Sequence, residues 1–287
     1  MVITPHDFNY KRFNTFSLSA REQIDRQMPG WLRRSRVIVV SSEFIASELR
    51  QFYPEFAGRV RVVRPGVPTV PDVPDSTAIE AYKTRVGLPK QFLLMPNWIV
   101  PHKNQKVLFE ALGLLKQKGI CIPVVLVGPN SHLLRPENKR RARGYVREVL
   151  DTAQHWELRH GSDFWSLGYV ADFELECLYR LATALVLPTL YEAGSFQIRE
   201  AVRAGCPVIC SRISALEEEV KLANYNATLF DPHNAHDLAE SIQHVLAHPA
   251  EAAQRVEQAR KLISHIFDWR KTASGYLKAF EDVLRSN

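Results

Sequence analysis

Two carboxylates, Glu192 and Glu200, bracket a Gly-Ser turn within Leu190 to Ser211, LYEAGSFQIREAVRAGCPVICS. Ahead of them, Ala184 to Leu190 reads as a buried strand, so Glu192, Ala193, Gly194 and Ser195 fall on the loop leaving its carboxyl end. Ligands of open α/β sheets bind at that end. From Phe196 the apolar residues recur at helical spacing and stop at Gly205 and Pro207, as a helix should. The backbone N–H groups of Gly194, Ser195 and Phe196 then lie at a helix N-terminus, where unsatisfied donors and the helix dipole favour a phosphate or a sugar oxygen. Glu200, just over one turn in, can accept hydrogen bonds from a diol such as a ribose, each charge-assisted bond being worth about 1.5–3 kcal/mol. Taken alone, the same spacing also fits two ordinary surface acids.

The elements that must position these groups follow from periodicity. Strands are expected near 92 to 96, 124 to 128, 184 to 188, 207 to 210 and 227 to 230, alternating with helical segments as a doubly wound parallel sheet requires. Asp231 to Leu246 and Glu251 to Ile266 read as two further helices. Before residue 65, Arg36 to Ser41 (RVIVVS) and Val60 to Val63 (VRVV) read as short strands around a helix from about Glu43 to Phe52. Pro65, Pro68, Pro71 and Pro74 recur through RPGVPTVPDVPDS and mark a connection, since proline removes a backbone donor and breaks regular structure.

The run GYVADFELECLYRLATALVLPTLYEAG and the REAVRAGCPVICS after it are similar to the retaining glycosyltransferases of the GT-B fold, family-four type. Phe92 to Leu112, FLLMPNWIVPHKNQKVLFEAL, resembles the first strand, phosphate loop and helix of that family's donor domain, with Lys103-Asn104 at the helix start. Val124 to Asn130, VVLVGPN with Gly128, resembles its second strand and loop. Leu167 to Val170, with Tyr169 and Val170, resembles the loop that lies against the nucleobase, and Ile263 to Leu284, with Trp269, the terminal helix.

The resemblance implies an α/β chain: a Rossmann-like doubly wound donor domain plus a partial N-terminal Rossmann-like domain. Its implied layout is residues 1–67 on the acceptor side, a linker over 68–85, a nucleotide-sugar domain over 86–265, and a C-terminal helix over 266–287 packing back toward the N-terminal part. It implies an enzyme moving a hexose such as mannose from a GDP- or UDP-sugar to a glycan or lipid-linked acceptor, without a bound cofactor or a metal. Lys103 would neutralise the departing diphosphate, Glu192 would meet the sugar hydroxyls and Glu200 the ribose. Gly128, Tyr169, Val170, Gly194, Ser195, Phe196 and Gln197 would complete the donor site, and His6 would assist on the acceptor side with Asp7 beside it. Three positions depart from the family: Trp98 where many relatives carry arginine, Ser195 where many have glycine, and Gln197 where many have proline. The serine adds a hydroxyl that would tune sugar preference.

At 46% apolar and 24% charged over 287 residues, the composition is that of a globular protein. No run reaches the roughly 18 apolar residues a membrane span needs, and no signal segment opens the chain; the expected location is the cytoplasm, at most peripheral to the inner membrane face. Residues 1–64 hold 11 Lys and Arg against 6 Asp and Glu, most of the net charge of +6. Trp31-Leu32-Arg33-Arg34 with Arg36 suits either a weak contact with an anionic membrane surface or a solvated helix end. A second basic run, Lys139-Arg140-Arg141-Ala142-Arg143, reads as an exposed helix. Neither has the stacking aromatics of a nucleic-acid site. Cys121, Cys177, Cys206 and Cys210 read as reduced core thiols, since no histidine pair completes a zinc site beside Cys206 and Cys210.

The acceptor side is short for a GT-B protein, which has two domains of similar size. Val2 to Asp7 resembles a strand and loop late in the N-terminal domain, which leaves a partial sheet with an unpaired edge. Transfer by this chain therefore stands beside a second possibility, a donor-binding fragment or half of a split enzyme, served by a separate N-terminal chain, that binds nucleotide sugar without turnover alone. A third, a sugar-nucleotide epimerase of related fold, lacks apparent acid/base residues.

Overall fold

A computed structural model describes residues 1–14, 16–70 and 72–285; Pro71 of the proline-rich connection lies outside them. The chain opens with a small parallel unit: β1 (Val2–Ile3), α1 (Asn9–Arg12), α2 (Leu18–Arg34), β2 (Val37–Val40), α3 (Glu43–Phe52) and β3 (Val60–Val62). The strands pair in the order β1-β2-β3, with Val2 opposite Val37 and Ile38 opposite Val60. β2 reads VIVV and is buried throughout, the pattern of a strand covered on both faces. Ser17 and Ser42 cap α2 and α3 by accepting from Ala20 and Ile45 N–H, which satisfies donors that the first helical turn leaves open.

The larger unit comprises α4 (Ser76–Val86), β4 (Leu93–Pro96), α5 (Gln105–Gln117), β5 (Val124–Val127), α6 (Gly144–His155), β6 (Phe164–Gly168), α7 (Asp172–Leu181), β7 (Ala184–Leu187), α8 (Phe196–Ala204), β8 (Val208–Ser211), α9 (Ser214–Leu222), β9 (Thr228–Phe230), α10 (Ala235–Ala247) and α11 (Pro249–Ile266). Its six parallel strands lie in the order β6-β5-β4-β7-β8-β9. Strand order reverses between β4 and β7, which opens a crevice at their carboxyl ends. Apolar side chains cover both faces: Leu108, Phe109, Val149 and Ile242 on one, Leu178, Ile198, Val202 and Ile263 on the other. The final helix, α12 (Trp269–Arg285), returns to the small unit, where Ala279, Tyr276 and Val283 pack on Val37 and Val39.

Several details differ from the sequence-based expectation, among them β6, which forms where no strand was expected. The 68–85 stretch is irregular only in part, because Asp75 accepts from Ala78 N–H and starts α4, whose Tyr82 is buried. The basic run 139–143 forms no α-helix: Pro136–Arg141 is a 3-10 turn and Arg143 precedes α6. The helix expected from Asp231 begins at Ala235, since Asn234 accepts from His236 and Asp237 N–H and caps it. Cys121 is exposed, while Cys177, Cys206 and Cys210 are buried free thiols.

Candidate functional site

The loops leaving β4 and β7 meet at the crevice and are tied together. The His102 carbonyl accepts from Leu190 N–H at 2.7 Å and from the Thr189 hydroxyl at 3.0 Å. Lys103 Nζ thereby reaches Glu192 Oε1 at 2.5 Å although 89 residues separate them. Glu192 is only 8% exposed, and burial raises its carboxyl above the usual range while Lys103 and Thr189 oppose that shift. Asp7, from the small unit, adds a further upward push, so the loop after β1 faces the same carboxylate. Burial, helped by the Lys103 charge, pushes His102 down to about 4, leaving a neutral imidazole behind the ion pair.

Gly194, at φ +148, turns the chain into α8. A side chain there would point at Arg199 Nη2 and Glu219 Oε2, 3.8 and 3.9 Å from its Cβ. The N-cap of α8 is Ser195, fully buried, whose hydroxyl accepts from Ile198 N–H at 3.2 Å and contacts Gln197 Oε1 at the same distance. Its hydroxyl is thus engaged in capping the helix. Gln197 donates to Asn97 Oδ1 at 3.2 Å, while Asn97 Nδ2 is buried without a partner.

A cavity of about 390 Å³ lies between the two units, lined by His6, Asp7, Ser41, Gly194, Phe196 and Trp269 among others. His6 and Phe196 are exposed to it, and Trp269 is fixed by its indole N–H donating to the Val67 carbonyl at 2.9 Å. The loops after β5 and β6 are also joined: Gly128 N–H donates to the Gly168 carbonyl at 2.7 Å. Gly128 has φ +113, and a Cβ there would stand 3.0 Å from the Asn97 carbonyl, so its lack of a side chain permits the close approach of β4 and β5 loops.

Glu200 opens elsewhere. It accepts from the Tyr179 hydroxyl at 2.8 Å and lines a recess of about 100 Å³ with Pro68, Thr69, Asp172 and Arg203. Burial raises its carboxyl, opposed by Tyr179 and Arg203. Asp172 follows Tyr169 and Val170 by only a few residues; Tyr169 is 81% exposed at the mouth of β6. The structure therefore gathers His6, Gly194 and Phe196 at the inter-unit cleft, sets the Lys103–Glu192 pair next to it in sequence and space through Ala193, and places Glu200 on the side of the Tyr169 loop. Trp98, at the arginine position, is 49% exposed and supplies no cation.

Sequence reasoning missed Tyr191, Asn97 and the Arg199–Glu219 pair. Arg199 Nε and Nη2 donate to the two Glu219 oxygens, and Nη1 donates to the Pro65 carbonyl at 2.6 Å. A charged residue on the otherwise apolar face of α8 was the available signal. Among the described residues no group of His, Cys, Asp and Glu is placed to hold a metal ion.

A parallel sheet with this switch point, a lysine against a loop carboxylate and an adjoining capped helix start place these groups where open α/β sheets take their ligands. Residues 79–262 match the family model of the Glycosyl transferases group 1, and the chain belongs to that family. It is 27% identical over 258 residues to the Escherichia coli serotype-specific mannosyltransferase WbdA, covering 88% of this chain and 30% of that protein. It is 26% identical to the Escherichia coli O-antigen chain mannosyltransferase B, covering 87% of this chain and 61% of the relative. The chain thus spans less than two thirds of either relative. Among solved structures, Anabaena HepE in complex with UDP and glucose superposes with a TM-score of 0.75 at 18% identity, over 98% of this chain and 71% of that one. WaaG, a glycosyltransferase involved in lipopolysaccharide biosynthesis, gives 0.68 at 17%, over 97% and 73%. These likenesses establish the GT-B fold.

Proposed function

We propose that the chain is a retaining hexosyltransferase that moves a sugar, mannose being the first candidate, from a GDP- or UDP-sugar to a glycan or lipid-linked acceptor in cell-envelope polysaccharide assembly. The observation that carries the reading is the Lys103–Glu192 pair beside the start of α8. In the proposed reaction the anomeric C–O bond breaks, the acceptor oxygen bonds to the anomeric carbon on the same face, and its proton passes to a diphosphate oxygen. Lys103 leaves Glu192 for the departing diphosphate, helped by the N–H groups of Gly194 to Phe196. Glu192 then faces the sugar hydroxyls and the positive ring, His6 and Asp7 flank the acceptor, and Glu200 takes the ribose with Tyr169, Val170 and Gly128 on the nucleotide side. Lysine and helix dipole carry the charge, so the reading assigns no metal. The names of WbdA and of the O-antigen mannosyltransferase favour mannose, whereas HepE, solved with UDP, favours a uridine donor.

No helix among the described residues is long and apolar enough to cross a membrane. The proposed setting is the cytoplasm, with half-exposed Trp31 and exposed Arg33 and Arg34 as a weak contact for an anionic membrane face. One observation favours a second reading, binding without turnover: among the described residues nothing pairs with the outer edge of β1. Calorimetric titration with UDP, GDP and ADP tests the donor site. Saturable binding of one nucleotide, weakened by about 1.5–3 kcal/mol in Glu200→Ala, is the expected result; binding of none by a folded sample refutes it. Turnover of the matching sugar nucleotide in the presence of EDTA then separates transfer from binding alone.

A further inference from the structure

Both neighbours of Glu192 are gripped by the small N-terminal unit. Tyr191 sends its ring out of the β7 loop into that unit's core, edge-on to Phe44 and Phe13 at centroid distances of 5.7 and 6.1 Å. Its hydroxyl donates to Glu48 Oε2 at 2.5 Å and accepts from Phe8 N–H at 2.9 Å. Glu48, on α3, is 2% exposed, and its other oxygen accepts from Arg12 Nε at 2.7 Å. On the far side of Glu192, the Ala193 carbonyl accepts from the Ser42 hydroxyl at 2.7 Å. The start of α3 is itself fixed to the larger unit, because the Glu218 carboxylate accepts from Glu43 and Phe44 N–H at 2.9 Å each.

These contacts matter because the segment between β7 and α8 is irregular and has no ladder of its own. Phe8 directly follows His6 and Asp7, the loop that lines the cleft beside Ala193 and Gly194. One hydroxyl therefore touches the acceptor-side loop through the Phe8 amide while standing next in sequence to the donor-side acid. We propose that Tyr191 is a positioning residue that couples the His6–Asp7 loop to Glu192, so that the two sides of the cleft move as one. The coupling rests on the site reading given above. Glu48 is the anchor: buried and already neutralised by Arg12, it holds the hydroxyl in one direction, and the Phe8 N–H is left to approach the phenol oxygen from the other side. The ring alone would supply packing; the hydroxyl supplies the registration.

Tyr191→Phe keeps the ring and removes both hydrogen bonds. Glu48→Gln keeps an oxygen that can accept from Tyr191, and Glu48→Leu does not. In the ligand-free protein, hydrogen exchange of segments 5–9 and 190–196 should rise together in Tyr191→Phe and Glu48→Leu and stay near wild type in Glu48→Gln. In parallel, calorimetry compares UDP with UDP-glucose and GDP with GDP-mannose. For the pair the wild type binds, the affinity ratio of sugar-bearing to sugar-free nucleotide should fall about tenfold in the two disruptive variants, the effect of losing about one hydrogen bond to the sugar, and recover in Glu48→Gln. Exchange that rises in only one segment, or in neither, overturns the coupling. So does an equal loss of affinity for both ligands, which is what a merely structural role would produce. If the wild type binds none of the four nucleotides, the donor-site reading fails, and the exchange result still decides the coupling.

Discussion

Replacing Arg199 by methionine tests how a buried charge holds the cleft. Arg199 and Glu219 are 2% and 4% exposed. The guanidinium makes two bonds to the Glu219 carboxylate and one to the Pro65 carbonyl, and lies 3.9 Å from the centroid of the Phe267 ring. Methionine fills similar space but leaves Glu219 buried without its counter-ion, at a cost of about 3–5 kcal/mol. At about 2–4 °C per kcal/mol for a chain of this class, the melting temperature should fall by roughly 10 °C. Burial already raises the Glu219 carboxyl, and Arg199 opposes that rise; without arginine the folded-state value climbs further. A group raised in the folded state contributes its stability below the unfolded value and loses it as pH increases through the folded one. The deficit of Arg199→Met should therefore be smaller at pH 5 than at pH 8. Glu219→Leu leaves a guanidinium, which does not neutralise in proteins, so its deficit should not shrink in acid. The double variant Arg199→Met/Glu219→Leu removes both charges and should recover to within about 1 kcal/mol of wild type, the residue being the Pro65 carbonyl. Thermal melts at the two pH values read all of this. A single variant as stable as wild type, or a double variant as weak as the sum of the singles, refutes the reasoning.

Further outcomes follow from neighbouring features. His102, held at about 4 instead of 6.5, is neutral when folded, so its contribution is complete above pH 6.5 and is lost on acidification toward pH 4. The loss approaches about 3 kcal/mol, and denaturant titrations across that window should show a flatter pH dependence in His102→Gln. Cys121 should react with a thiol reagent at once, while Cys206 and Cys210, whose thiols burial pushes up to about 12, should react only on unfolding. A Cβ on Gly113 would lie 2.2 Å from Trp156 Cδ2, so Gly113→Ala should destabilise α5 by about 1–3 kcal/mol. Helix propensity alone predicts a gain of about 0.8–1 kcal/mol, so the sign measured by denaturation separates the two effects.

Five strands of the larger sheet were legible because they are short buried runs of β-branched and aliphatic residues, as in VVLV of β5 and ALVL of β7, whereas β6, FWSLG, lacks such a run and was not expected. Glu192 was singled out by its place on the loop leaving a strand, and Lys103 by the family resemblance around the start of α5. Their mutual contact was not legible, because it depends on strand order and crosses 89 residues. The same holds for Tyr191 and Glu48, separated by 143 residues, and for Arg199 with Glu219: single-sequence periodicity reports which face of a helix is buried, not what it meets. The cap role of Ser195 was not legible, because it is invisible until the helix start is fixed. The 139–143 run was misread as α-helix because high helix propensity was outweighed by Pro136 and the tight turn it begins.

The placement of α12 has a consequence for how the protein is made. Val37 and Val39 on β2 are sealed by Tyr276, Ala279 and Val283, and Gly275 lets the helix come so close that a Cβ there would sit 2.8 Å from Val63 Cγ1. Strand β2 thus waits for the last described helix, far later in the chain, before one of its faces is dry. Every strand pairing in both sheets is parallel, so none can close through a short hairpin, and each must await a distant partner. The small unit is then complete only once α12 has been made, and until that point its valine face is uncovered apolar surface.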